Sequence, residues 1–392
     1  MKNELRFISA CFNINYHFRA SGKIKRLAKK GLDWDFILKK LVQSDIAPLA
    51  FYNLSGLKDS KIPERFISSL NDIYNTTAIK NILIWKDLEN TLNAFYSEKI
   101  PAIPLKGAFM VDVIYKDISP RPLSDIDILV KRSDLDKING LMTKKEYIKT
   151  KEDPFTVTYA KKTVIMELHH RINLPEPVNM PREFMWKNAE EKKIRDFHVL
   201  YPSPEDALIY SALHFCHHLS DAILYLSPFP GLKSILDIHE IVSKKKTALD
   251  WGYITKISKK YGISSMVYSG LHLSKICFDT AMPPGCLGSI EPDFFKRKIL
   301  GAFLLNEYQR LIDMDDKSKI GLFKSPYETN LVYSCLFNAG HPGSKLFSRP
   351  IKEFAEKHGL PHPSLKTFFL YLIRPFLFIK MLLSENRRPT KP

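Results

Sequence analysis

The stretch that most constrains this chain covers residues 100–130, IPAIPLKGAFMVDVIYKDISPRPLSDIDILV. It predicts a short apolar strand ending at Lys106-Gly107, a helical piece, a proline-rich turn, and a second strand carrying Asp125 and Asp127. Side chains two apart on a strand share a face. Asp125 and Asp127 therefore point together, while Ile126 and Ile128 point the other way, into a core. Neighbouring carboxylates repel, and they cost stability unless a cation lies between them. The usual occupant is a divalent metal with hard oxygen ligands, Mg²⁺ above all. Taken alone, Asp-Ile-Asp also fits a strand whose outer face is simply solvated.

The surroundings shift that balance toward phosphate chemistry. Lys106-Gly107 falls at a strand-to-helix turn, where a glycine lets backbone approach a phosphate and a helix N-terminus adds positive potential. Arg121 lies four residues before Asp125 and offers a forked donor to phosphate oxygens. This order of strand, glycine turn, helix and Asp-x-Asp strand resembles the core of the polymerase-beta-like nucleotidyltransferase superfamily. Within it, LKGAFMVDVIYKD and RPLSDIDILV resemble a bacterial family of uncharacterised nucleotidyltransferases.

The resemblance implies a third carboxylate on a later strand, between apolar neighbours, and Glu167 between Met166 and Leu168 supplies it. By strand parity Ile165, Glu167, His169 and Arg171 share its face if the strand is regular. The resemblance further implies Asp125, Asp127 and Glu167 as the catalytic metal ligands, with Asp125 and Asp127 bridging two Mg²⁺ ions. Lys106, Gly107, Ala108, Arg121 and Ser124 are then expected to bind the nucleotide. One departure stands out: the superfamily follows its glycine with Gly or Ser, and here Ala108 follows Gly107. Ala108 has no hydroxyl for a phosphate, so the grip falls more on Lys106 and backbone N–H groups.

At 392 residues the chain exceeds one ordinary domain, so two or three units are expected. The expected fold class is α+β: a small mixed-sheet nucleotidyltransferase core over 99–175, between a helical region over 1–98 and a helical domain over 176–392. In the first region Asp33 reads as a helix cap, Pro63 opens another helix, and a third spans Thr77–Ser97 with Leu83, Ile84, Leu88, Leu92 and Phe95 as its buried stripe. Ser133-Asp134 starts a short helix to about Lys144. Phe155–Ala160 and Thr163–Ile172 read as a hairpin around Lys161-Lys162. A proline-rich connector follows, and Ser203-Pro204-Glu205-Asp206 signals the return to helix, with Asp250-Trp251 starting a later one. His214 and His218 sit one helical turn apart. Residues 215 and 216 are Phe and Cys, so no HExxH zinc pattern exists. Lining a pocket is the better reading for both histidines, and His169 and Arg171 join them as pocket candidates; Asp237 and His239 carry the same ambiguity.

A net charge of +17 favours anionic partners, whether nucleotides, nucleic acid or an acidic membrane surface, and does not choose among them. Five scattered cysteines without a Cys-x-x-Cys pair argue for a reducing cytoplasm. The polar interruptions at the N-terminus do not fit a secretory signal. The apolar segment 367–383, TFFLYLIRPFLFIKMLL, is broken by Arg374-Pro375 and Lys380. It suits either peripheral contact at the inner face of the membrane or a hairpin docked on the protein's own core.

The activity so implied is transfer of a nucleoside monophosphate from a nucleoside triphosphate, ATP first among them, to an acceptor hydroxyl. The resemblance places such acceptors in cell-surface polysaccharide or modified-peptide assembly. An RNA end is a less favoured acceptor, and a non-catalytic nucleotide- or membrane-binding protein on the same scaffold is the alternative of a different kind.

Overall fold

Helices open the chain, and most begin where the sequence offers a start signal. The computed structural model describes residues 3–13, 20–57, 61–172, 180–181, 183–194, 196–225, 231–245, 247–294, 296–298 and 300–301. Helices α1 (Asn3–Cys11) and α2 (Ala20–Ala28) are followed by α3 (Trp34–Gln43), where Asp33 Oδ1 accepts the Phe36 N–H at 2.9 Å. Helix α4 (Ala47–Leu54) has Pro48 in its first turn. Helix α5 (Glu64–Ser97) is a single helix of 34 residues after Pro63, where the sequence suggested two. The polar run before Thr77 contains no Gly or Pro, so nothing breaks the helix, and the Thr76 hydroxyl turns back onto the Asp72 carbonyl at 2.8 Å. Ile84, Leu88, Leu92 and Phe95 form its buried stripe, whereas Leu83 is 60% exposed, one position and roughly 100° round the axis from Ile84.

The sheet follows. Strand β1 (Ala102–Pro104) leads into α6 (Lys106–Phe109) and a π-helical turn (Met110–Tyr115), then β2 (Ile126–Val130). Helix α7 (Leu135–Lys144) connects to β3 (Ile148–Glu152), β4 (Thr156–Lys161) and β5 (Val164–His169). The order is β1-β2-β5-β4-β3, with β2 and β5 parallel and every other pair antiparallel. The β4–β5 hairpin forms as expected but turns at Lys162-Thr163, one residue later than the expected Lys161-Lys162, because Lys161 pairs with Val164 at the end of β4. Two boundaries differ from expectation. Asp125 stands one residue before β2, and β5 ends at His169, which leaves Arg171 beyond the strand. Strand β3 was not foreseen: all five of its residues are exposed, so no buried face marks it in the sequence.

The register fixes what the sheet presents. Asp127 pairs with Glu167, Glu167 with Thr158, and Thr158 with Lys151, so these four lie in one row across four strands. His169 lies two residues beyond Glu167, on the same face.

After the sheet come α8 (Phe184–Lys187) and a ribbon of β6 (Glu190–Ile194) and β7 (Phe197–Tyr201), in a stretch the sequence reading took as connector. Helix α9 (Pro204–Tyr225) starts at the Ser203 cap, whose Oγ accepts the Asp206 N–H at 3.2 Å. Then follow α10 (Gly231–Lys245), α11 (Trp251–Lys260) capped by Asp250, α12 (Ser264–Phe278) and α13 (Cys286–Ser289). The class is α+β. One continuous buried cluster draws on α1, α5, the sheet, α9, α10 and α12. The buried His239 ring on α10 ties its ends together, reaching the Thr280 hydroxyl at 2.9 Å and the Phe12 carbonyl at 3.2 Å, and so serves the core rather than a pocket. No described helix is long and apolar enough to cross a membrane. The apolar segment 367–383 lies outside the described residues.

Candidate active site

A cleft of about 730 Å³ opens between the sheet face and helices α9 and α10. The Asp127–Lys151 row forms its floor; Tyr210, His214 and His218 from α9 and Lys233 and Asp237 from α10 form its wall. Asp127 is 2% exposed, which excludes a merely solvated strand face. A carboxylate so enclosed needs partners, and it has two on one oxygen. Oδ1 lies 2.7 Å from Lys106 Nζ and 2.8 Å from His169 Nε2. Burial alone would raise the Asp127 pKa, but Lys106 and His169 outweigh it and hold the group far below the usual carboxylate range. Burial likewise works against the Lys106 ammonium, and Asp127 more than compensates, so Lys106 stays charged.

Glu167 is half-buried beside them, and its Oε2 lies 3.6 Å from His169 Nε2. Burial and the neighbouring Asp127 push its carboxyl above the ordinary range. Asp127, Glu167 and His169 offer ligand atoms that all lie within 4.8 Å of one another. Two carboxylates and an imidazole suit a divalent cation. Asp125 lines the same cleft outside that trio, its Oδ1 accepting from the Ser124 hydroxyl at 2.6 Å. The His169 imidazole thus joins Asp127 and Glu167, two of the three expected carboxylates, while Asp125 lies beside them in the cleft. Parity had placed His169 on the right face; what was missing was its reach to Asp127.

The turn of Lys106-Gly107-Ala108 works differently from the expectation. The positive φ belongs to Lys106, at 44°, and not to Gly107. Gly107 is required for space: a Cβ there would lie 2.7 Å from Arg121 Nη1 and 2.7 Å from Leu123 Cδ2. Ala108 is buried and is not among the residues that line the cleft. Arg121 lines the cleft, yet its fork is taken: Nε and Nη2 donate to Asp237 at 3.0 and 2.8 Å, and Nη1 donates to the Pro122 carbonyl at 2.9 Å. Arg171 stands outside, exposed, with its guanidinium 5.4 Å from the Phe155 ring centre.

His214 and His218 both face the cleft, with Nε2 atoms 3.0 Å apart. That contact requires at least one bare nitrogen. Burial, then Lys106 and His218, depress the His214 pKa well below that of an ordinary histidine, which keeps it neutral. Tyr210 is buried next to them, its hydroxyl pushed up to about 12 by burial. Sequence reasoning missed Tyr210, and it missed Asn81. Asn81 is fully buried on α5 and clamps the loop before β2: its amide donates to the Ile118 and Arg121 carbonyls, and its oxygen accepts the Leu123 N–H at 2.9 Å.

A family model described as an uncharacterised nucleotidyltransferase matches residues 30–279. The chain belongs to that family. The match runs from α3 through α12, so it takes in the sheet, the cleft and both walls. No curated protein and no solved structure matches the chain. For this member of the family the Asp127, Glu167 and His169 trio and its cleft therefore stand on the chain's own geometry.

Proposed function

We propose that this protein transfers a nucleoside monophosphate from a nucleoside triphosphate to an acceptor hydroxyl, in the cleft between the sheet and helices α9 and α10. The observation that carries the reading is the convergence of Asp127, Glu167 and His169 in the cleft of a nucleotidyltransferase-family chain. In this reaction the acceptor oxygen bonds to the α-phosphorus, the P–O bond toward the β-phosphate breaks, and pyrophosphate leaves with the electron pair. Asp127, Glu167 and His169 would hold a divalent cation, with Mg²⁺ the expected ion, and Asp125 lines the same cleft beside them. When bound, the cation supplies charge at the phosphate oxygens and lowers the pKa of the attacking hydroxyl.

The chain's own residues do the rest. Lys106 gives a fixed positive charge beside Asp127, where phosphate oxygens gain negative charge as the bond breaks. Glu167, partly open to the cleft, would take the acceptor's proton on the carboxylate oxygen turned away from the cation. Arg121 acts through its pair with Asp237, holding α10 against the loop that leads into β2. A sugar, lipid-linked or peptide hydroxyl is the acceptor class that the resemblance supports.

Calorimetric titration of each of the four nucleoside triphosphates, with and without Mg²⁺, tests this in wild type and Asp127→Ala. Metal-dependent binding of one triphosphate, lost in the variant, is expected. Absence of binding by all four overturns it.

A further inference from the structure

The Lys106 side chain is held in place more firmly than a flexible phosphate-binding lysine requires. Its backbone occupies the left-handed region at φ 44°, which is uncommon for a side-chain-bearing residue. Its ammonium is largely enclosed, with the side chain 17% exposed, and sits 2.7 Å from Asp127 Oδ1. From β5, His169 Nε2 takes the same oxygen at 2.8 Å. The other acidic groups of the cleft are already matched: Asp237 with Arg121, and Asp153 with Lys151 at 3.2 Å. That leaves Asp125, Asp127 and Glu167 facing Lys106, with Tyr210 and His214 opposite on α9.

We infer that Lys106 stands in the place of a second metal ion, so that the protein's own side chains bind one divalent cation, at Asp127, Glu167 and His169. This rests on the metal-dependent reading above. One divalent ion and one ammonium together match three carboxylates. A second divalent ion bridging Asp125 and Asp127 would lie against an enclosed ammonium already paired with Asp127 Oδ1, and like charges that close in an enclosed site repel strongly. Lys106 thus fixes the metal count, and the single-ion site follows from the turn before α6.

The test counts bound Mn²⁺, which suits a donor set containing an imidazole, by the electron paramagnetic resonance signal of the free ion. The ion alone is titrated into wild type, Lys106→Met, Lys106→Gly and Lys106→Met/Asp125→Ala. Wild type is expected to bind one ion, each single variant two, and the double variant one. Lys106→Gly guards against misfolding, since glycine takes a positive φ without strain, and circular dichroism confirms that each variant is folded. Two ions in wild type, or one in both folded single variants, overturns the inference and leaves the metal-dependent reading standing. No ion in any of the four removes that reading too. If neither single variant folds, the wild-type count decides alone.

Discussion

Gly107→Ala is the change whose cost the structure specifies best. The added Cβ would lie 2.7 Å from both Arg121 Nη1 and Leu123 Cδ2, closer than real carbon contacts allow, so something must move. Arg121 cannot swing aside cheaply, because its Nε and Nη2 are committed to Asp237 and its Nη1 to the Pro122 carbonyl. Leu123 is 3% exposed, and its N–H is held by Asn81, so it has little room either. Overpacking a closed site costs ~1–3 kcal/mol, while stranding one partner of a buried ion pair costs ~3–5 kcal/mol. With both neighbours pinned, the expected loss is about 3 kcal/mol, where the two ranges meet. With an unfolding entropy of ~2.1 cal/mol/K per residue, a 392-residue chain shifts by ~1 °C per kcal/mol, so the melting temperature should fall by roughly 4 °C. Urea denaturation followed by tryptophan fluorescence, alongside a thermal melt, measures it. An unchanged midpoint would refute the reasoning, since it would show that the Arg121–Asp237 pair can yield without cost and that Gly107 is present for some reason other than space.

Two further outcomes follow from the same structure. Asn81→Ala removes the partner of the Leu123 N–H and of the Ile118 and Arg121 carbonyls; with ~1–3 kcal/mol for a stranded buried group, a loss of about 2–4 kcal/mol is expected in urea. Asn81→Gln should not restore it, because the clamp depends on side-chain length. His214 is neutral when folded, with its pKa below the ordinary 6.5. As pH falls through 6.5 the unfolded chain takes up a proton that the folded chain refuses, so stability is lost toward acid. Between pH 7 and pH 5 the wild type should lose ~1–2 kcal/mol more than His214→Gln. Parallel stability curves for the two proteins over that range would show that His214 is not the group responsible.

How much of this was legible in the sequence depends on how far each residue's partner lies along the chain. Period-two reading found the hairpin, set Glu167 and His169 on one face, and placed Asp127 opposite the apolar Ile126 and Ile128. Cap chemistry found the starts at Asp33, Ser203 and Asp250 because each cap bonds within three residues. Elements without a buried face gave no signal, so the exposed β3 and the charged Glu-Glu-Lys-Lys run of β6 went unseen. The contacts least visible in the sequence are those of Arg121 and Gly107. Both are explained by Asp237, which lies 116 residues from Arg121. From sequence, an arginine before an Asp-x-Asp pattern is a phosphate donor and a glycine at a turn is a phosphate approach. Only a partner arriving from α10 shows that the arginine's fork is filled and that the glycine exists to admit it. The same holds for Lys106. Its charge suggested a grip on phosphate, and its 2.7 Å distance to Asp127 Oδ1 adds a pairing within the site that the sequence did not show. Local patterns identify which residues carry chemistry; the long-range pairs decide how much of that chemistry is already occupied.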